Sequence, residues 1–177
     1  MANPTEAATK NIITLKGSAK LVSEFFYYGI NSILYQRGIY APESFTYKQE
    51  YGLTLFVSDD KGVNTYLKDV LAQIKDWLEK GQIKRLVLVI NSVATKEVLE
   101  RWDFQIDCEA TAQHNDNDVK KEAVGEKDLK LIQREMRDVI RQITACVTFL
   151  PLLDQQCAFD LLVHTDKDCN IPDSWHD

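Results

Sequence analysis

The stretch from residue 19 to 36 constrains the fold more than any other, because it reads as a helix with no clean division into dry and wet faces. Leu21, Val22, Phe25, Phe26, Ile30, Ile33 and Leu34 spread around much more than one stripe of it. A helix that is apolar on several sides has to be enclosed by other elements, so a central pillar is expected. The short β-prone run NIITLK, 11 to 16, precedes it, and Gly17-Ser18 offers its N-cap. Gly29 stands inside the helix, where glycine costs about 1 kcal/mol relative to alanine, and a close packing contact is expected there.

The remaining segments supply the enclosure. YGLTLFVS, 51 to 58, reads as a strand, and Asp59 or Asp60 can cap a second helix. In that helix Val63, Tyr66, Leu67, Val70, Leu71, Ile74, Trp77 and Leu78 recur with the spacing of one face, closed by Gly81. RLVLVI, 85 to 90, reads as a buried strand. In ERWDFQIDCE, Trp102, Phe104, Ile106 and Cys108 alternate with polar residues, which predicts a sheet with one covered and one wet face. Residues 109 to 128 are polar without a period and predict a mobile loop, as residues 1 to 10 predict a flexible leader. A third helix runs from about Glu126 to Val147, with Leu129, Ile132, Met136, Val139, Ile140, Ile143, Cys146 and Val147 on one face, and CAFDLLVHT, 157 to 165, is the last strand. The expected fold class is α+β: one domain over residues 1 to 177, with three helices packed on one face of a mainly antiparallel sheet.

With 177 residues and 45% hydrophobic content, one such core is within reach without covalent staples. A net charge of -6 argues against a nucleic-acid ligand. No apolar stretch approaches the roughly 18 residues of a membrane span, and a soluble intracellular chain is expected. Cys108, Cys146, Cys157 and Cys169 form no CxxC pair and are expected as reduced, mostly buried thiols.

The motifs of catalysis are missing from the sequence. There is no GxSxG elbow, phosphate loop, dinucleotide turn, HExxH or EF-hand loop. His164, Asp166, Asp168 and Cys169 in HTDKDCN mix hard and soft ligands that suit no single metal, and a strand-to-loop exit explains them equally well. His114 falls in the polar loop and His176 at the tail. A non-enzymatic chain without catalytic residues, cofactor or metal is expected, with a small hydrolase around His164 and Asp166 as a rival.

VIRQITACVTFLPLL, 139 to 153, places Arg141 and Gln142 within an apolar run. At about 100° per residue, with Ile132 as the centre of the core face, Met136, Val139, Ile143 and Cys146 lie within about 40° of it. Arg141 falls directly opposite, and Gln142 on the shoulder. An outward Arg among Thr and Ala, beside Phe149, suits a solvated face and a protein contact equally.

FFYYGINSILYQRGIY, YGLTLFVS, KDWLEK, EVLERWDFQIDCE, VIRQITACVTFLPLL and FDLLVHTDKD, taken in this order from about residue 12 to 175, resemble the HORMA domain of the mitotic arrest deficient family of spindle-checkpoint adaptors. The resemblance implies an adaptor that switches between open and closed topologies. In the closed form a C-terminal "safety belt" wraps a partner peptide that adds as a strand to the sheet edge. It also implies partners: a kinetochore-bound checkpoint receptor, the co-activator of the anaphase-promoting complex, a closed copy of the same chain, and a HORMA-like silencing adaptor that recruits an AAA+ ATPase. By the same resemblance Arg141, Gln142 and Phe149 form the interface for the closed copy and the silencing adaptor, and the localisation is nucleus, kinetochore and cytoplasm. A HORMA adaptor of another branch, serving a DNA-repair polymerase or the meiotic axis, is the alternative.

Strand addition needs an unobstructed edge, and FDLLV has no proline. Phe159, Leu161 and Val163 alternate on one face and mark the expected peptide-binding edge. Trp175 matches the family's belt tryptophan. Family members continue past the stretch matching KDCNIPDSWHD with further strand-forming sequence, so residues 166 to 177 are expected to act as a shortened belt that holds peptides weakly. An open-like form is then expected, with NIITLK retained in the sheet and Leu15 packed as part of that N-terminal strand.

Overall fold

The computed structural model describes residues 9–108, 124–173 and 175. Nearly all of the expected leader and most of the expected mobile loop, with His114 and His176, lie outside the described residues.

Among the described residues, six strands and three α-helices follow in the order β1 (Thr9–Gly17), α1 (Ala19–Gln36), β2 (Phe45–Glu50), β3 (Leu53–Ser58), α2 (Lys61–Glu79), β4 (Ile83–Ser92), β5 (Val98–Cys108), α3 (Val124–Phe149) and β6 (Cys157–Thr165). Four strands form one sheet in the order β1-β5-β4-β6, and β2-β3 stand apart as a hairpin. The β4-β5 and β4-β6 pairings are antiparallel, and β1-β5 is parallel. The three helices pack together against this sheet, as the α+β class requires.

α1 is the pillar. Its Ser18 cap accepts a hydrogen bond from the Leu21 backbone N–H at 3.3 Å, and Val22, Phe25, Phe26, Ile30, Ile33 and Leu34 are fully buried. Gly29 lies where α1 meets both neighbours: a Cβ there would stand 3.4 Å from Phe104 of β5 and 3.7 Å from Ile143 of α3. These are ordinary van der Waals distances, so the site has room for a methyl group but not for a longer side chain. α2 begins at Asp60, whose Oδ1 accepts the Val63 N–H at 2.8 Å, and buries Val63, Leu67, Val70, Ile74, Trp77 and Leu78.

The α3 face agrees with the helical wheel at Met136, Val139 and Ile143, all buried. Leu129 departs from it: expected on the core face, it is 55% exposed near the start of the helix. The β2-β3 hairpin was only half expected. FTYKQE carries a single buried residue, Phe45, and so lacks the apolar alternation that betrays a strand. Tyr51 and Gly52 turn the hairpin, both at positive φ (53° and 69°). Two successive residues of that kind match the two-residue turn whose twist suits antiparallel strands.

Two other expectations change. The four cysteines are free thiols, but all are half-buried rather than mostly buried. The polar side of β5 is not simply wet. Asp103 is buried, with its carboxylate bonded to the guanidinium groups of Arg85 and Arg101. Glu100 shares the parity of Trp102 and Phe104 and turns into the core.

Candidate functional site

β6 ends the sheet, and its pairing with β4 decides what its other side offers. In an antiparallel ladder, each residue directs both its N–H and its C=O to the same neighbour, alternating along the strand. Just beyond β6, the Asp166 N–H bonds Gln82 on the β4 side, and just before it the Gln156 C=O accepts from Val93. The even-numbered residues therefore face β4. Phe159, Leu161 and Val163 turn their main-chain groups to the free edge, while their side chains lie on the inner, less exposed side. Among the described residues no strand covers that edge. The three residues expected from alternation are thus the ones that present unpaired backbone.

A groove of about 540 Å³ runs along this edge, between Leu161–Thr165 and the segment Ile171–Asp173 with Trp175. Trp175 stands edge-on to the buried Trp77 of α2, with ring centroids 5.1 Å apart, which fastens the returning segment over the end of the helix. At the other end, Phe159 packs between Tyr40 and Tyr66, at centroid distances of 6.4 and 5.9 Å. Tyr66 was expected only as a core residue of α2, yet it is 40% exposed. Burial, with the Asp160 carboxylate nearby, pushes its phenol up.

The second candidate surface is the outer side of α3. Arg141 is 79% exposed, and among the described residues its guanidinium reaches only Asp138, at 4.0 Å. It borders a groove of about 500 Å³ between α3 and β3, with Leu53, Leu55, Ile140 and Ala145 among its walls. Phe149 is 88% exposed and Leu152 91%, so two large apolar side chains stand in solvent at the C-terminal end of α3 and just beyond it. Leu152 was not singled out from the sequence, although its place in the run after α3 carried the signal.

Gln142 does not share this surface in full. Its Oε1 accepts the Thr14 N–H of β1 at 3.1 Å, so the residue expected to point outward with Arg141 is turned instead to the N-terminal strand. Leu15 of that strand is fully buried, and β1 lies beside β5 from Thr9 to Gly17.

One buried ion pair has no signature in the sequence. Arg37, just past the end of α1, bonds Glu100 of β5 through Nε at 2.9 and 3.1 Å and also through Nη2. The same Nη2 donates to the Pro151 carbonyl at 2.6 Å, and the Trp102 indole donates to Glu100 at 3.3 Å. The pair thereby fastens the loop between α3 and β6 to the core.

The HTDKDCN side chains disperse. Asp166 pairs with Lys84 at 2.9 Å, the Cys169 thiol reaches Gln82 at 3.5 Å, and His164 is exposed. No three acidic, cysteine or histidine groups among the described residues are placed to share a metal ion.

The sequence profile of the HORMA domain matches residues 18–176. The chain belongs to the HORMA domain family. Within that family it is 54% identical, over 165 residues, to the human mitotic spindle assembly checkpoint protein MAD2A, a match covering 93% of this chain and 78% of the relative. It is 47% identical to the maize mitotic spindle checkpoint protein MAD2, covering 97% of this chain and 79% of that one. Among solved structures, a chain of the mitotic checkpoint complex matches with a TM-score of 0.75 at 43% identity, over 90% of this chain and 81% of that chain. The structure of C. elegans HTP-1 bound to HTP-3 motif-1 shares the fold, with a TM-score of 0.65 at 18% identity over 90% of this chain and 75% of that chain. These similarities place the chain in the spindle-checkpoint branch of the HORMA family rather than the DNA-repair or meiotic one.

Proposed function

We propose that this HORMA protein is a non-enzymatic spindle-checkpoint adaptor that captures a partner peptide by β-strand addition to β6. The unpaired backbone of Phe159, Leu161 and Val163, beside a groove walled by Trp77 and Trp175, is the observation that carries this reading. Such an edge draws affinity from main-chain hydrogen bonds and leaves selectivity to the neighbouring walls. The peptides belong to the kinetochore-bound checkpoint receptor and to the co-activator of the anaphase-promoting complex, whose capture delays anaphase. The likeness to a chain of the mitotic checkpoint complex supports an assembly of that kind.

The exposed Arg141 and Phe149 on α3 then serve a closed copy of the chain and the HORMA-like silencing adaptor with its AAA+ ATPase. Retention of β1 beside β5, with Leu15 buried, fits the open member of an open-closed pair. The protein works in the nucleus, at kinetochores and in the cytoplasm.

The test uses a fluorescently labelled co-activator peptide and two versions of it, each N-methylated at alternate residues, one in each phase. Strand addition predicts that one phase abolishes binding and the other leaves it nearly intact, because only alternate amides face the edge. Equal binding of all three peptides, or none by the parent peptide, would refute the reading.

A further inference from the structure

The β2-β3 hairpin has a free edge of its own, and it opens towards α3. The Asp59 N–H donates to the Ser44 carbonyl at 2.8 Å, so the odd-numbered residues of β3 face β2. The even-numbered ones turn the other way. Ser58 finds side chains there: its N–H donates to Asn31 Oδ1 at 2.9 Å, and its carbonyl accepts from Asn64 Nδ2 at 2.8 Å. Thr54 and Phe56 direct their main-chain groups to the same side, where no third strand joins the hairpin among the described residues. A continuous trough runs beside them. The groove of about 500 Å³ between β3 and α3 continues into a hollow of about 200 Å³ lined by Tyr28 and Tyr35 of α1, and the two share Thr54, Leu55 and Ile140 as walls. Arg137 and Arg141, one helical turn apart on α3, line its outer end. Arg137 is exposed and has no ion pair among the described residues, and Asp138 meets Arg141 only at 4.0 Å. In a chain of net charge -6, this is a local reversal of sign.

We propose that the β3 edge is a second strand-addition site, taking an extended acidic segment of a partner protein as the third strand of the hairpin. Each part of the trough selects one part of that segment. The outward groups of Thr54 and Phe56 bond its main chain, the apolar walls take its alternate side chains, and Arg137 with Arg141 holds its carboxylate. The site is separate from β6 and does not depend on capture there. Because Arg141 also belongs to the α3 surface that serves a closed copy, a segment seated in the trough excludes that copy.

The probe is a labelled peptide of about seven residues, the length of an ordinary strand, with alternating valine and threonine and a glutamate at each end. A second probe carries lysine in place of glutamate. The parent should bind the glutamate peptide and not the lysine one. Arg137→Glu should weaken the glutamate peptide about tenfold and strengthen the lysine peptide by a similar factor, as loss and exchange of a charge-assisted contact require. N-methylation of the glutamate peptide at alternate residues should abolish binding in one phase and spare it in the other. Thr54→Pro removes an outward N–H of β3 without touching its bonds to β2, and it should abolish binding as well.

Equal binding of the two peptides by the parent, or an Arg137→Glu variant that changes neither, overturns the proposal. So does a probe that ignores both N-methylation and Thr54→Pro, because it would then sit away from the β3 edge. Should Thr54→Pro fail to fold, the exchange of charge at the exposed Arg137 decides. Self-association of the parent that Thr54→Pro abolishes, with no binding of either peptide, would make a second copy the occupant and overturns the proposal too.

Discussion

The side chain of Gln142 on α3 accepts the backbone N–H of Thr14 on β1 at 3.1 Å, across 128 residues of sequence. Among the described residues β1 is an edge strand joined to the sheet through β5 alone. A side-chain acceptor that satisfies one of its outward groups ties the strand to the helix.

Replacing Gln142 by Ala should therefore loosen β1 before anything else. A loss of about 1 kcal/mol in stability is expected, the ordinary worth of a partly buried hydrogen bond. Faster amide exchange concentrated near Thr14, rather than along α3, is the measurement that checks it.

Arg141→Ala should behave in the opposite way. The side chain is 79% exposed, and its one ion pair among the described residues is the long contact to Asp138, so the melting profile should stay within about 0.5 kcal/mol of the parent. Size-exclusion chromatography with a closed copy should show loss of the mixed dimer. A destabilised variant would mean that the helix faces the other way.

The Arg37–Glu100 pair predicts a strongly asymmetric mutational response. Both side chains are almost wholly buried, so Glu100→Ala leaves a guanidinium with one carbonyl partner and should cost about 3 to 5 kcal/mol. Replacing both by apolar residues of similar size should recover much of that loss. Urea denaturation of the two single variants and the double variant measures the difference.

Gly29 separates space from conformation. A Cβ would make ordinary contacts at 3.4 Å or more, so Gly29→Ala should be neutral or gain up to about 1 kcal/mol of helix propensity. Gly29→Leu forces a longer side chain against Phe104 and Ile143 and should cost about 1 to 3 kcal/mol. Thermal melts of the pair decide it.

Glu24 predicts a pH dependence. Burial raises its carboxyl above the ordinary 4.5, opposed by Lys20 and reinforced by Glu50. A raised folded-state value means that this contribution is present below the unfolded pKa and lost as pH rises through the folded one. Glu24→Gln should thus be more stable relative to the parent at about pH 7 than at about pH 4, as urea midpoints at the two values would show.

The helices were legible because their periodicity is written in the residues that make them, and the α3 wheel located Met136, Val139 and Ile143 correctly. The wheel also gave the direction of Gln142 from its own axis, but it could not say that β1 would lie over that shoulder. Arg37 and Glu100 are 63 residues apart, and each alone looks like a surface charge. β2 was hidden because a nearly all-exposed strand has no apolar alternation to reveal it. Alternation in FDLLV named Phe159, Leu161 and Val163, while the freedom of their edge belongs to strand order, which no local pattern encodes.

The parity of β6 divides selection on that strand. At Phe159, Leu161 and Val163 the side chains answer to the interior and the main chain to the outside, and every amino acid except proline supplies the same outward amide. Substitutions at Phe159, Leu161 or Val163 can therefore drift with the volume of the interior while the docking pattern stays constant. Divergence in partner choice between relatives should instead accumulate in the aromatic walls around the strand.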